Sequence, residues 1–414
     1  MNSSLFPWLG VHEGAAEPPR SEPLFARVTG SLSSRVDADQ SRDSVQGTAQ
    51  RVVFNGRFLA QMQTGVQRYA RETLLAFDAL LADRAELRES LRCELALPPG
   101  TSAPPLRHIE PHKLPVLRGH AWEQLTLPLF ARGAFLVNFS YSGPIAKRRQ
   151  MITMHDATVA VAPSTFSKTY RVAHSLLLGL LKNRAQVLMT VSKFSRDEIA
   201  RHFGITREIV VGHGGGEHAV VCGDGAGTVR RLGLEPGKYV LAVGSVKPNK
   251  NFALLGQALR LLEGFPWQIA VAGSRDASVF QSAEPPPGNV RMLGYVHDME
   301  LAFLYRHAAW FVLPSLYEGF GLPALEAMAN GCPVLAARAA SIPEVCGEAA
   351  VYFDPHDAAS LAHALRRVVD EPALRRRVLE HAQRRLALYS WRANAEIVAD
   401  QLLRVTASAQ PVFA

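Results

Sequence analysis

The sequence has few cysteines and no long apolar run. Its 414 residues include four cysteines, whose spacing fits neither a metal site nor a disulfide-stabilised small domain. We therefore expect reduced thiols in a cytoplasmic protein. No apolar run approaches the roughly 20 residues that span a bilayer, and the first residues lack the basic and apolar regions of a signal peptide. The sequence thus argues against a disulfide scaffold and against an integral membrane protein.

A surplus of acidic residues is also absent, since the net charge is +8. Residues 51–225 hold 22 lysines and arginines against 14 acidic residues, whereas residues 226–414 hold 19 against 17. A basic first half suits anionic lipid surfaces, nucleic acid or phosphorylated substrates, and does not distinguish them. No groove-reading motif or aromatic platform accompanies the charge, and no Asp-x-Asp pair is placed for a divalent cation. We therefore expect no nucleic-acid partner and no metal.

The length predicts two α/β domains. Short apolar runs alternate with helical patterns in both halves, as in doubly wound parallel sheets that are buried on both faces. The predicted strands are 52–54, 95–97, 135–137, 151–154 and 186–191 in the first half, and 239–245, 267–273, 290–296, 310–314, 333–337 and 350–354 in the second. We predict a disordered extension over 1–50, a first domain over 51–225 and a second domain over 226–388.

The most informative segment runs from residue 313 to residue 333. It places Glu318 and Glu326 on either side of a glycine-containing turn, and a helix is predicted from near Pro323 to a cap at Asn330-Gly331. The free N–H groups at such a helix start can hold a phosphate. Carboxylates on both sides of that cradle can accept hydrogen bonds from hydroxyls, so the pattern suits a nucleotide diphosphate joined to a sugar.

Glu318 and Glu326, with seven residues between them, resemble the E-x7-E signature of family-4 retaining glycosyltransferases of the GT-B fold. The resemblance covers about residues 51–405 and is most specific over 239–355. It implies two Rossmann-like domains facing across a cleft, with residues 389–414 as a helix and tail that cross back to the first domain. It also implies transfer of a hexose from a nucleotide diphosphate-sugar to a hydroxyl of a glycan or lipid-linked acceptor, with retention of configuration and without a metal or other cofactor.

Further residues match the same family. The resemblance implies two catalytic residues, His155 and Glu318, and an acceptor-binding residue, Asp156. The implied donor-binding residues are Gly65, Gly244, Ser245, Lys250, Val296, Gly319, Phe320, Gly321, Leu322 and Glu326. Simpler interpretations stay open at some positions: Gly65 fits a plain strand-to-helix turn, and the His-Asp pair fits a structural histidine beside a capping aspartate.

The setting predicted from these features is bacterial surface-polysaccharide synthesis, with mannose as the first sugar to test. The acceptor would be a glycan or a polyprenyl-diphosphate-linked glycan. The helical pattern over 168–184 is apolar with basic ends, which suits either peripheral contact with the inner face of the plasma membrane or packing on the sheet. Two other functions stay open: a sugar-nucleotide epimerase of the same fold, and a basic binding protein without enzymatic activity.

Overall fold

The computed structural model describes residues 49–163, 166–244, 247–273 and 289–407. The predicted disordered extension lies outside these residues except at its last two positions, and Gln50 already belongs to the first strand. Ser245, a predicted donor-binding residue, also lies outside them.

The first sheet has seven parallel strands in the order β3-β2-β1-β4-β5-β6-β7. Their bounds are β1 Gln50–Asn55, β2 Leu91–Leu97, β3 Glu110–Lys113, β4 Phe135–Asn138, β5 Gln150–Thr153, β6 Val187–Thr190 and β7 Val210–Val211. Central strands such as β4 and β6 are buried at every residue. Burial on both faces explains why these strands read as continuous apolar runs in the sequence.

The second sheet has six parallel strands in the order β10-β9-β8-β11-β12-β13. Their bounds are β8 Tyr239–Val243, β9 Gln268–Ala272, β10 Val290–Gly294, β11 Trp310–Leu313, β12 Val334–Ala337 and β13 Ala350–Phe353. Each coincides with a predicted strand. In both sheets the order reverses beside the first strand, β1 or β8, so the loops after these strands open into a crevice where ligands bind in such folds.

Helices connect the strands. They are α1 Gly65–Asp83, α2 Ala85–Ser90, α3 Gly119–Ala121, α4 Leu127–Phe130, α5 Thr158–Val161, α6 Lys168–Arg184, α7 Lys193–Phe203, α8 Ala226–Arg231, α9 Phe252–Arg260, α10 Asp298–His307, α11 Leu322–Ala329, α12 Ile342–Cys346, α13 Ala358–Asp370, α14 Pro372–Leu386 and α15 Trp391–Ala407. A π-helical turn joins α3 to α4, and short 3₁₀ turns lie at Gly56–Ala60, Glu217–Ala219 and Pro248–Lys250. Within the described residues, no helix combines the length and the apolar character needed to cross a bilayer.

The last helix, α15, returns from the second domain and packs on α1 of the first. Asn394 anchors it, because the side chain is fully buried, donates to Thr73 Oγ1 at 2.7 Å and accepts from the hydroxyl of Tyr69 at 3.2 Å. The predicted crossover is therefore present as a helix that is hydrogen-bonded to the first domain.

Replacing Asn394 by Ala should destabilise the protein by about 1–3 kcal/mol, because two buried hydroxyls lose their partner. Urea unfolding followed by circular dichroism should show a lower midpoint. Asp400→Ala, an exposed position on the same helix, should leave the midpoint unchanged. Equal midpoints for the Asn394 variant and the parent would show that this anchor contributes nothing.

Candidate active site

The turn after β11 has the geometry that the sequence predicted. Helix α11 begins at Leu322 with Pro323 in its first turn, and Asn330 follows its last residue as the cap. Gly321 precedes the helix with φ +97°, a conformation that side chains disfavour, so glycine is required there. Amides at a helix start have no partner within the helix, so the amides of this turn and of Leu322 can donate to a ligand.

Glu318 lies before this turn and is hydrogen-bonded on one oxygen by two donors. Lys250 Nζ lies 2.7 Å from Oε1 and the hydroxyl of Ser315 lies 2.6 Å from the same oxygen. The hydroxyl of Ser341 donates to the backbone carbonyl of Glu318 at 2.8 Å. Two residues that were predicted independently, one from each motif, thus form an ion pair with side-chain exposures of 19% for Lys250 and 12% for Glu318.

Gly319 joins this turn to the first domain. Its carbonyl accepts hydrogen bonds from the hydroxyls of Ser192 at 2.6 Å and Ser195 at 2.7 Å, both at the start of α7. A Cβ on Gly319 would lie 2.5 Å from the carbonyl oxygen of His155 and 2.9 Å from Cβ of Asp156. The second-domain turn therefore packs against the predicted His-Asp pair at backbone distance.

His155 is buried and bonded through one ring nitrogen. Its Nε2 lies 2.9 Å from the carbonyl oxygen of Phe139, a pure acceptor, so Nε2 carries the proton and Nδ1 has the lone pair. The described residues offer Nδ1 no hydrogen-bond partner. Burial lowers the pKa of His155 and so favours this neutral form. Rings of Tyr69 and Tyr141 pack beside it, with centroids 5.0 Å and 5.4 Å away.

Asp156 caps a helix, as the interpretation of the His-Asp pair as structural predicts. One of its oxygens accepts from the amide of Thr158 at 2.8 Å, at the start of α5. The sequence left open whether the His-Asp pair is structural or functional, and the geometry is compatible with both. Burial and the carboxylate of Asp156 raise the pKa of Tyr141 well above its usual range.

Glu326 has two partners that the sequence did not suggest. His218 Nε2 lies 3.0 Å from Oε1, and the hydroxyl of Tyr305 lies 3.0 Å from Oε2. Burial raises the pKa of Tyr305 well above its usual range and keeps the hydroxyl neutral. Neither partner belongs to a recognisable motif. The signal nearest to His218 is the glycine-rich stretch 212–216, which reads as a linker.

Two further contacts join the domains. Glu344 of α12 accepts hydrogen bonds from the amides of Lys193 and Phe194, each at 2.8 Å, so a second-domain carboxylate occupies the N-terminus of α7. Arg68 in the first turn of α1 donates to Asp298 at the start of α10, with Nη1 2.8 Å from Oδ2, and this contact lowers the pKa of Asp298.

Most of the remaining predicted donor residues follow the carboxyl ends of strands in the second sheet, and Gly65 lies in the first domain. Gly244 follows β8, and a Cβ there would lie 3.4 Å from Cγ of Lys250. Val296 is buried between β10 and α10, and Leu322 is the first residue of α11. Phe320 packs edge-on against Tyr389, with centroids 5.6 Å apart. Gly65 begins α1, and a Cβ there would meet nothing within 4 Å, so no close approach requires a glycine at this position.

Metal ligands are not grouped in the described part of the chain. No set of three or more His, Cys, Asp or Glu side chains is placed there to hold an ion. The carboxylates of Glu318 and Asp298 are paired instead with Lys250 and Arg68.

Comparison with known proteins agrees with this geometry. Residues 229–385 match the family described as glycosyl transferases group 1. The O-antigen chain mannosyltransferase B of Escherichia coli is 32% identical over 246 residues, which are 55% of this chain and 63% of that protein. The chain spans less than two thirds of the length of the first curated relatives it matches.

Solved structures of low sequence identity share the fold. A sucrose-phosphate synthase from Thermosynechococcus elongatus has a TM-score of 0.65 at 19% identity, over 87% of this chain and 100% of that chain. WaaG, a glycosyltransferase involved in lipopolysaccharide biosynthesis, has a TM-score of 0.63 at 16% identity, over 84% and 99%. The architecture is therefore GT-B, two Rossmann-like domains facing across a cleft. The match of residues 229–385 to the group 1 glycosyl transferases agrees with the family resemblance seen in the sequence.

Gly319→Ala should loosen the contact between the domains, because the added Cβ overlaps the backbone of His155. Hydrogen–deuterium exchange of the amides at residues 193–195, which are protected by Glu344 and Ser192, should rise by about tenfold. Gly227→Ala is a matched control, because a Cβ on this helical glycine meets nothing within 4 Å. Unchanged exchange in the Gly319 variant would contradict this close contact.

Proposed function

We propose that this protein is a retaining glycosyltransferase that moves a hexose, mannose being the first candidate, from a nucleotide diphosphate-sugar to a hydroxyl of a glycan or lipid-linked acceptor. The observation that carries the proposal is the position of the Gly319 turn. Gly319, which directly follows Glu318 of the Lys250–Glu318 pair and precedes α11, packs against the backbone of His155 and Cβ of Asp156 in the other domain. The group 1 family match and the mannosyltransferase relatives support the same reaction class.

The second domain would stabilise the leaving diphosphate. Cleavage of the sugar–phosphate bond leaves negative charge on the diphosphate, and the amides from Gly319 to Leu322 provide neutral donors beside the N-terminus of α11. Lys250 adds a cation that is already fixed by Glu318 at 2.7 Å. Such fixed donors need little reorganisation during the reaction, so they act most strongly where charge develops. No metal is required in this scheme.

Retention is what the family resemblance implies, and the state of the carboxylates near the turn indicates which retaining route is available. A double-displacement mechanism needs a carboxylate free to attack the anomeric carbon. Glu318 accepts two strong hydrogen bonds on one oxygen, which weakens it as a nucleophile, and Asp156 caps α5. We therefore favour a front-face reaction. The acceptor oxygen forms its bond to the anomeric carbon on the side from which the diphosphate leaves, and its proton passes to the departing phosphate oxygen.

The sugar would lie between Glu318 and His155. The second oxygen of Glu318 and the unprotonated Nδ1 of His155 are acceptors that suit sugar hydroxyls. Asp156, on the first domain, would contact the acceptor. The relatives that match include O-antigen chain mannosyltransferases, so bacterial surface-polysaccharide synthesis is the setting we propose.

Glu318→Ala should reduce transfer at least about 100-fold, because both donor placement and the fixed position of Lys250 are lost. The wild type is first tested with a panel of nucleotide sugars that includes GDP-mannose and UDP-glucose, and the anomeric configuration of the product is read by NMR. Glu89→Ala, an exposed position remote from the cleft, should keep full activity. Near-normal turnover of the Glu318 variant, or an inverted product, would contradict the mechanism; an isomer formed from donor alone would indicate the epimerase.

Membrane contact is a separate part of the proposal, and it rests on α6. Val172, Leu176 and Leu180 are spaced by four residues and expose 61%, 64% and 47% of their surface. They form one apolar stripe of the helix, and Lys168 and Arg184 lie at its ends. An exposed apolar stripe with basic ends suits the surface of an anionic bilayer, where a polyprenyl-linked acceptor would be anchored.

The double variant Leu176→Ser, Leu180→Ser should bind vesicles of phosphatidylethanolamine and phosphatidylglycerol about tenfold more weakly than the wild type, because two apolar side chains no longer enter the bilayer. Vesicle co-sedimentation gives the partition coefficient. The control is Leu261→Ser, Leu388→Ser, since both leucines are about as exposed, at 59% and 60%, but lie elsewhere. Equal binding by the two double variants would rule out α6 as the contact.

A further inference from the structure

We infer that His218 and Trp391 are positioning residues that hold Glu326 in the orientation needed to bind the ribose of the donor. This inference rests on the proposed function, in which Glu326 accepts hydrogen bonds from the ribose hydroxyls. It assigns a role to a histidine in the linker between the sheets and to the first residue of the crossover helix.

The three side chains form a continuous hydrogen-bonded chain. Trp391 Nε1 lies 3.1 Å from His218 Nδ1, and His218 Nε2 lies 3.0 Å from Glu326 Oε1. The side-chain exposures of His218 and Glu326 are 5% and 10%, and Trp391 is buried. These groups are thus largely shielded from water. If one of them loses its hydrogen-bond partner, a water molecule cannot readily take the partner's place.

The directions of the hydrogen bonds follow from the chemistry of the groups. Indole nitrogen is a donor only, so His218 Nδ1 must accept and therefore carries no proton. The proton of the neutral ring then lies on Nε2 and points at the carboxylate of Glu326. Trp391 thus selects the tautomer that can hold the carboxylate, as second-layer partners do for metal-bound histidines.

This arrangement leaves Glu326 available for a ligand. His218 uses one lone pair of Oε1, and the hydroxyl of Tyr305 uses one of Oε2 at 3.0 Å. Each carboxylate oxygen keeps a further acceptor site, and the two remaining sites match a pair of neighbouring ribose hydroxyls. Because His218 and Tyr305 each bond one oxygen, the orientation of the carboxylate is fixed before the donor binds. This lowers the entropy cost of binding.

Trp391 also connects this chain to the transfer site. Its backbone amide donates to Glu217 Oε1 at 2.6 Å, beside His218 in the sequence. Its ring packs on Tyr69 with centroids 5.8 Å apart, and Tyr69 in turn packs on His155 at 5.0 Å. Trp391 therefore contacts both Tyr69, which packs on His155, and His218, which bonds Glu326. The first residue of the crossover helix thus links the surroundings of these two site residues.

Two substitutions of His218 separate its hydrogen bond to Glu326 from the space that the side chain fills. His218→Gln keeps a nitrogen donor at the place of Nε2 and can still hold Glu326. His218→Asn keeps only a polar group at the place of Nδ1, so it can still meet Trp391 but not Glu326. Trp391→Phe keeps the packing on Tyr69 and removes the donor that selects the tautomer.

Titration calorimetry of the full chain with GDP and with UDP is the test. His218→Asn should raise the Kd of whichever nucleotide the wild type binds by about tenfold, and Trp391→Phe should raise it by a few fold. His218→Gln should stay within about twofold of the wild type. In transfer assays the change should fall on KM of the donor rather than on kcat. A merely structural histidine would lower the melting temperature equally in both His218 variants and leave Kd unchanged.

Nitrogen-15 NMR of the His218 ring provides a readout that does not depend on catalysis. The neutral tautomer protonated on Nε2 is expected in the wild type and its loss in Trp391→Phe; a ring protonated on Nδ1 would overturn the inference. If the tautomer is as expected and nucleotide binds, yet His218→Asn binds normally, the positioning role is wrong while the proposed function stands. If the wild type binds neither nucleotide, the proposed function fails, and the role of His218 fails with it.

Discussion

The contact on which the site depends is the pair of serine hydroxyls that hold the carbonyl of Gly319. Ser192 and Ser195 belong to the first domain, and the glycine belongs to the turn between Glu318 and Glu326 of the second. Because both serines lie at the start of α7, these hydrogen bonds fix the Gly319 peptide against the first domain. The absence of a Cβ lets the turn reach the backbone of His155. The contact between the domains therefore also fixes the backbone of the turn that is proposed to hold the diphosphate.

Parallel architecture made most of the fold predictable. Strands buried on both faces read as apolar runs, and all six strands of the second sheet fell within predicted ranges. The two strands that the sequence did not indicate lie at the edges of the first sheet. β3 has the sequence Glu-Pro-His-Lys and is mostly exposed, so it carries no apolar signal. β7 has two residues, too few for any periodicity. An edge strand is held by backbone hydrogen bonds to one neighbour only. Its side chains therefore show little of the apolar pattern by which a strand is predicted.

The site divides in the same way between local and long-range features. The E-x7-E turn, the glycine with positive φ and the cap of α11 lie close together in the sequence, so their local geometry could be predicted from it. The pairing of each glutamate with its partner could not be predicted in this way, because His218 lies 108 positions from Glu326 and Lys250 lies 68 from Glu318. Lys250 was found because it sits in a recognisable strand-to-helix segment. His218 follows a glycine-rich linker, and its role depends on a crossover helix that begins 173 positions later.

The charges of the cleft suggest how a diphosphate is accommodated. Lys250 is paired with Glu318 and Arg68 with Asp298, so neither cation is an isolated charge. Isolated buried cations would be costly to maintain, whereas paired ones can share a hydrogen bond with an incoming phosphate. The neutral amides of the Gly319 turn must then supply much of the added attraction. Such a site releases a diphosphate more easily than a cluster of unpaired cations would, because the carboxylates limit the total positive charge. For the glycosyltransferase proposed above, which would discharge a nucleoside diphosphate in every turnover, that balance would favour product release as much as donor binding.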